Sequence, residues 1–345
     1  MAAPYVINGV SIQPGERRTV DVPVSVLSNH TPMNMSVHVV HGKKPGPVLF
    51  VSAAVHGDEI IGVEIVRRLL NAAAIRRLKG TILCVPIVNA FGFINHNRYL
   101  PDRRDLNRSF PGSAKGSLAG QLAHLFMNEV VRHADVGIDL HSAAQHRINL
   151  PQIRVSGEGN RTLELANAFG APVILESDYR EGSLRMAAHD INVDVLVYEA
   201  GEALRFDEFA VRVGVKGILR VMKTLGMIGP KSVTDTKTKS HFATSSHWIR
   251  APRGGMLRAF RTIGDSVQVG DIIGIVSDPI GDKERELVVG TGGVIIGRTN
   301  LPVINQGDAL FHIAHVRRDG AVEKFVNQAE KEFEVDPLFD EDEIL

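Results

Sequence analysis

Cysteine is almost missing: Cys84 is the single one in 345 residues. No disulfide framework can therefore form within the chain, and no cysteine-based zinc site. Cys84 sits in the apolar run Thr81–Val88 and reads as a buried strand residue rather than a nucleophile. No apolar stretch reaches the roughly 18 residues of a membrane span, so no membrane partner is expected. Met1–Pro14 lacks a basic region followed by an apolar core, so no signal peptide is expected either. Together these point to a cytoplasmic protein. Net charge is also missing, since 39 Lys and Arg balance 39 Asp and Glu. A nucleic-acid binder usually carries a basic excess or stripe, so no nucleic-acid partner is expected. The sharpest asymmetry is acidic: Asp336–Glu343 holds five carboxylates and no base, and reads as a solvated tail.

What is present is ordinary for a globular protein, with 44% hydrophobic and 23% charged residues. A sizeable core is available, and the length suggests about two domains. Residues 1–44 carry short or alternating apolar runs (Tyr5–Ile7, Arg18–Val26, Met35–Val40) between turn formers. They predict edge strands or a small β layer packed on the next domain. From Pro45 the pattern changes. Near-continuous apolar runs at Pro47–Val55, Gly80–Val88, Ala134–Leu140, Pro172–Leu175 and Val193–Tyr198 predict buried strands. Segments of helical period, Glu59–Leu70, Ser117–His133, Leu163–Phe169, Ser183–Asp190 and Phe206–Leu225, alternate with them. Residues 45–225 thus read as an α/β domain with a mixed, largely parallel sheet. Residues 226–240 are polar and read as a linker. Residues 241–318 hold only short strands between Gly and Asp turns and predict an all-β module. Residues 319–345 form the acidic tail.

Four motifs carry chemistry. His56-Gly57-Asp58-Glu59 follows a buried strand and precedes a helix, at the sheet edge where α/β proteins bind ligands. An imidazole and a carboxylate three residues apart can converge on a metal, although a helix-capping turn would use the same acidic residues. Asp139-Leu140-His141 ends another buried strand and delivers His141 to the same edge. His56, Glu59 and His141 make a three-ligand set with a fourth position open, the pattern of a catalytic zinc. Asp139 shares its strand face with His141 and could support it. Arg98-Tyr99 and Asp105-Leu106-Asn107-Arg108-Ser109-Phe110-Pro111-Gly112 form a loop rich in arginine; Asn107 with Arg108 suits a carboxylate clamp. Glu199 follows the strand Val193–Tyr198 to that edge again. It suits the carboxylate that zinc hydrolases need outside the ligand set. Glu202 reads as a capping or loop residue.

Taken in order, these motifs resemble the succinylglutamate desuccinylase/aspartoacylase family of the zinc carboxypeptidase-like superfamily. The resemblance covers roughly residues 45–225, and the C-terminal β module fits the family's two-domain layout. It implies that His56, Glu59 and His141 bind one Zn2+ per chain, and that Glu199 is general base and then proton donor. It implies that Asn107 and Arg108 hold the substrate α-carboxylate. An upstream arginine would polarise the scissile carbonyl. Arg98 matches that position through its Arg-Tyr pair, with Arg103 and Arg104 as alternatives. The implied activity is hydrolysis of a small N-acyl amino acid by a zinc-dependent deacylase. A metallocarboxypeptidase acting on short peptides, or a non-catalytic zinc-binding protein on the same fold, are the alternatives. A second acidic group on the substrate would need another arginine, and Arg147, Arg154, Arg180 and Arg185 are candidates. His146, close to His141, could shape the pocket or be solvated.

Within the β module, Ala251–Met256, Gly264–Gly270 and Val288–Ile296 resemble a biotinyl/lipoyl-type barrel-sandwich. Such carriers need a lysine at a hairpin tip, and the matching turn at Gly290–Gly293 has none. The module is therefore expected to narrow the mouth of the site or to mediate contacts in a homo-oligomer.

Overall fold

The structure is a computed structural model that describes residues 1–157, 160–236 and 239–316, with Val322, Val326 and Gln328. Apart from these three residues, the acidic tail (319–345) lies outside the described residues. In chain order the strands begin with β1 (Tyr5–Ile7), β2 (Val10–Ile12), β3 (Arg17–Val26), β4 (Pro32–His41) and β5 (Lys44–Ala53). Helix α1 (Ile61–Asn71), β6 (Lys79–Val85), the short α2 (Ala90–Ile94), α3 (Leu118–Glu129), β7 (Val136–Ala143) and β8 (Arg147–Val155) follow. Then come α4 (Asn160–Phe169), β9 (Val173–Glu176), α5 (Leu184–His189), β10 (Asp194–Glu202) and α6 (Glu208–Thr224). The remainder is all strand: β11 (His241–Arg250), β12 (Gly255–Ala259), β13 (Ser266–Val267), β14 (Ile272–Ser277), β15 (Glu284–Val288), β16 (Gly293–Thr299), β17 (Val303–Ile304) and β18 (Ala309–Val316).

Twelve of these strands form one mixed sheet in the order β3-β4-β6-β5-β7-β10-β8-β9-β11-β18-β16-β13, with β16 also pairing β8. Parallel pairing is confined to two blocks, β6-β5-β7-β10 and β8-β9-β11. The blocks run against each other across the β10–β8 pair. Within residues 45–225 the sheet is thus mixed and largely parallel, as expected, with β10–β8 the one antiparallel pair among the described strands. The cause is local: only residues 144–146 separate β7 from β8, far too few for a parallel crossover, so the chain turns back. Strand β8 itself was not anticipated.

Alternation along each strand sends side chains to two cores. On one face, Leu49, Val51 and Ala53 of β5 pack with Ile61, Ile65 and Leu69 of α1 and with α4 and α6. On the other, Phe50 packs with Phe126 of α3, Leu184 of α5 and the strands β1–β4. Burial on both faces is why these strands read as unbroken apolar runs. The C-terminal strands do not stand apart. β11 pairs parallel with β9, and β16 pairs with β8, so four of them extend the large sheet. The others form a four-stranded sheet β15-β14-β12-β17. Its Leu257, Ile273 and Leu287 share one core with Ile295, Phe311 and Ile313 of the large sheet. None of the described helices is long and apolar enough to cross a membrane.

Candidate active site

Parallel strands β5, β7 and β10 all end at one edge, and each delivers a polar residue there. After β5 the chain turns sharply. Ala54 adopts φ 49°, a left-handed conformation that disfavours a residue with a Cβ. It is pinned by Val88 N–H donating to the Ala53 carbonyl at 3.0 Å and Asn89 N–H donating to the Ala54 carbonyl at 2.9 Å. This turn carries His56 and Glu59 back over the strand ends. His141, on β7, stands in register with Glu199 of β10.

His56, Glu59 and His141 are 4%, 2% and 3% exposed. One ligand atom from each lies within 4.8 Å of the others. His56 Nδ1 is 2.7 Å from Glu59 Oε1, and His141 Nδ1 is 2.7 Å from Glu59 Oε2. The opposite ring nitrogens face carboxylates: His141 Nε2 lies 2.7 Å from Asp139 Oδ2, and His56 Nε2 lies 3.1 Å from Asp105 Oδ1. Asp139 is held in turn by the Ser52 hydroxyl, which donates to its Oδ1 at 2.7 Å. A carboxylate on the far nitrogen of each histidine is the usual support for a metal ligand: it fixes the tautomer and leaves the near nitrogen's lone pair free. The donor set therefore fits a divalent metal bound by two imidazole nitrogens and a carboxylate.

The electrostatics agree. Burial opposes a charged imidazole at both histidines. At His56 the carboxylates of Glu59 and Asp105 outweigh it, and at His141 those of Asp139 and Glu59 do. Both therefore hold a proton above the ordinary imidazole range, His141 well above. Glu59 is buried too, but the two histidines keep its carboxyl below the usual range. A dication would take the place of the two imidazole protons and keep the Glu59 carboxylate as a ligand.

The remaining polar groups surround a cavity of about 140 Å³. Its lining includes His56, Glu59, His141, Arg98, Asn107, Arg108 and Glu199. Arg98 donates to Glu59 at 3.1 Å and to Asp105 at 3.0 Å. Arg103 and Arg104 are exposed and lie outside this lining, so of the three candidates only Arg98 reaches the site. The amide oxygen of Asn107 accepts from Leu184 N–H at 2.9 Å, which leaves its NH2 as the group able to donate to a ligand. Arg108 donates to the Asn107 carbonyl.

Arg154, Arg180 and Arg185 line the other wall. Arg147 does not; its guanidinium lies over the Trp248 ring at 5.5 Å. Burial, then Arg154 and Arg180, push Arg185 down to about 10, although Tyr179 opposes this. Its Nη2 is held by the Ser177 carbonyl and hydroxyl and by the Asp178 carbonyl, while its buried Nη1 has no hydrogen-bond partner among the described residues. His146 sits outside the cavity lining, with its backbone N–H on Glu202 at 2.8 Å. Glu202 thus acts as a loop anchor.

Comparison with known proteins follows from this geometry. Residues 45–225 match the family model described as the succinylglutamate desuccinylase/aspartoacylase catalytic domain. The chain belongs to this family. Its sequence is 28% identical over 284 residues to the N-alpha-acetyl-L-2,4-diaminobutyric acid deacetylase of Halomonas elongata, covering 79% of this chain and 83% of that one. The fold is also that of a succinylglutamate desuccinylase/aspartoacylase structure from Rhodobacter sphaeroides. That pair has a TM-score of 0.78 at 24% identity, over 87% of this chain and 95% of that one. The product-bound ectoine utilization protein of Ruegeria pomeroyi shares the fold at TM-score 0.77 and 21% identity, over 87% and 94% of the two chains. The family motifs met in the sequence, from His56 to Glu199, all fall within the matched segment.

Proposed function

We propose that this protein is a zinc-dependent hydrolase that cleaves the amide bond of a small N-acyl amino acid. The observation that carries the reading is the convergence of His56, Glu59, His141, Arg98, Asn107, Arg108 and Glu199 on one small cavity. His56, Glu59 and His141 would hold the metal. When bound, zinc lowers the pKa of a water toward about 7 and polarises the scissile carbonyl. Glu199, outside the ligand set, takes the proton of the attacking water and passes it to the leaving nitrogen. Arg98 stabilises the charge that develops on the carbonyl oxygen. Asn107 and Arg108 hold the α-carboxylate, which fixes the amide over Glu199. The cavity is small beside the 300–1,000 Å³ or so of drug-sized pockets, which favours an amino-acid derivative over a peptide.

Five arginines against three carboxylates line the cavity. This supports a substrate with a second acidic group, seated against Arg154, Arg180 and Arg185. The Halomonas relative's diaminobutyrate derivative would need only the α-carboxylate clamp. In this reading residues 45–225 are the carboxypeptidase-like catalytic domain, with residues 1–44 packed on it. Residues 226–240 are a link, and residues 241–318 form a barrel-sandwich-like module beside the cavity. A cytoplasmic location is part of the same proposal.

The test combines metal analysis with a substrate panel: N-acetyl-, N-succinyl- and N-formyl-aspartate and -glutamate, N-α-acetyl-diaminobutyrate, and one dipeptide. One zinc per chain and turnover of an N-acyl acid are expected. Glu199→Ala should keep the metal and lose about 10²–10⁴-fold in kcat. Cleavage of the dipeptide alone would move the protein to the peptidases, and full activity in Glu199→Ala would remove that residue from the chemistry.

A further inference from the structure

Glu199 is tied down by a residue that none of the family motifs contains. Asn149, on β8, is buried, and its amide NH2 donates to Glu199 Oε2 at 3.0 Å. The other carboxylate oxygen, Oε1, lies 3.5 Å from Arg154 Nη1. A carboxylate that must receive and return a proton works only when the correct oxygen faces the reacting atoms. The donor on Oε2 selects one rotamer and leaves Oε1 facing Arg154, which lines the cavity with Glu199.

Asn149 is itself placed from two sides. It stands opposite Gly201 of β10 and opposite Gly297 of β16. At Gly297 a Cβ would come within 2.9 Å of Asn149 Oδ1 and 3.3 Å of the Ile148 carbonyl oxygen. That strand, from the C-terminal part of the chain, can therefore lie against β8 with Asn149 undisturbed only because residue 297 has no side chain.

We infer that Asn149 is a positioning residue for the hydrolytic step, and that the C-terminal strands act in catalysis by seating it through Gly297. The inference rests on Glu199 carrying the proton, as proposed above. It assigns the C-terminal part a role in catalysis besides any at the cavity mouth.

The experiment uses the full zinc-loaded chain and the best substrate of the panel. Five variants are compared with the wild type: Asn149→Ala, the isosteric Asn149→Asp, Gly297→Ala, Glu199→Gln and the double variant Asn149→Ala with Glu199→Gln. Zinc content and thermal unfolding are measured on each. Misplacement of a reacting group by about 1 Å costs about 10²-fold. Asn149→Ala and Asn149→Asp should accordingly lower kcat by about 10–100-fold, with KM changed less than about threefold and zinc content unchanged. Gly297→Ala should reproduce the kcat-only pattern at about 3–10-fold. In the Glu199→Gln background, Asn149→Ala should add no further loss. Wild-type kcat in Asn149→Asp, which keeps the shape and removes the donor, would overturn the inference. So would an equal loss in both backgrounds, or a change confined to KM. Wild-type kcat in Gly297→Ala would overturn the part assigned to the C-terminal strands. If instead Glu199→Gln retains full activity, the proposed mechanism fails first, and that outcome is separate from a silent Asn149 beside an essential Glu199.

Discussion

Asp139 offers a sharp test of how the proposed metal centre is built. Asp139→Asn keeps the shape of a buried side chain that serves two donors, Ser52 Oγ at 2.7 Å and His141 Nε2 at 2.7 Å. An amide has one acceptor oxygen and an NH2, so the oxygen can serve His141 only if the Ser52 hydroxyl turns to accept from the NH2. The imidazole of His141 also loses the negative charge that raises its basicity. Loss of such an outer carboxylate typically weakens metal binding about 10–100-fold, or about 1.4–2.8 kcal/mol at 1.4 kcal/mol per tenfold. The pH dependence makes the test specific. In the wild type His141 holds its proton well above the ordinary value, so metal must displace a proton at neutral and acid pH. The amide in place of the carboxylate lowers that proton affinity, so the variant meets less competition as the pH falls. The affinity deficit should be largest near pH 8 and should shrink toward pH 6. Competition against a chelator dye at both pH values measures it. A deficit that widens on acidification, or no deficit at all, would refute the assignment of Asp139 as the partner of a ligating histidine.

Three further outcomes are expected. Arg185→Met should raise KM by about 10–100-fold for substrates with a second carboxylate, the worth of a charge-assisted hydrogen bond. It should leave substrates with apolar side chains nearly unchanged, and an equal effect on both would count against the arginine wall as a selector. Gly137→Ala places a methyl 2.1 Å from Phe50 Cζ, so overpacking should cost at least about 1–3 kcal/mol, read by denaturant unfolding; an unchanged midpoint would contradict the packing described between β5 and β7. Metal-free protein should lose stability as the pH rises. His56 and His141, raised against burial by the carboxylates they face, contribute fully below their unfolded value of about 6.5 and lose that contribution as the pH passes their folded values. Zinc-loaded protein should show the opposite trend across pH 6–9 or so, because protons compete with the metal. Thermal melts with and without chelator decide it, and parallel curves would disprove it.

The candidate metal triad was open to inspection in the sequence because each member stands where an apolar run stops. His56 and Glu59 follow β5, and His141 is the first strongly polar residue past Ile138 and Leu140 apart from its own support, Asp139. Burial on both sheet faces makes such runs conspicuous, and a histidine at their end has few structural excuses. The arginines opposite were candidates together with Arg147, but the sequence could not choose among the four, and of them only Arg154, Arg180 and Arg185 line the cavity. Arg180 and Arg185 come from the segment between β9 and β10, Arg154 from β8, and no spacing rule links them. Periodicity speaks of one strand at a time.

Asn149 shows why the rest stayed hidden. Strand β8 contains Pro151, and a proline within an apolar run argues against a central strand because it cannot donate to the ladder. The fold accommodates it at an irregularity: Gln152 pairs with Glu199 and Asn149 with Gly201, with the register shifting between them. The same irregularity turns Asn149 toward Glu199. The C-terminal strands were legible as strands but not as neighbours of β8 and β9, since a period of two says which face a residue takes and nothing about which sheet the strand joins. A reading from motifs alone therefore assembles the candidate active site at the ends of β5, β7 and β10 and stops. The pairings of β11 with β9 and of β16 with β8 show that the segment after residue 240 joins the large sheet. A substitution at Gly297, remote from every family motif, is consequently expected to reach the proton carrier through Asn149.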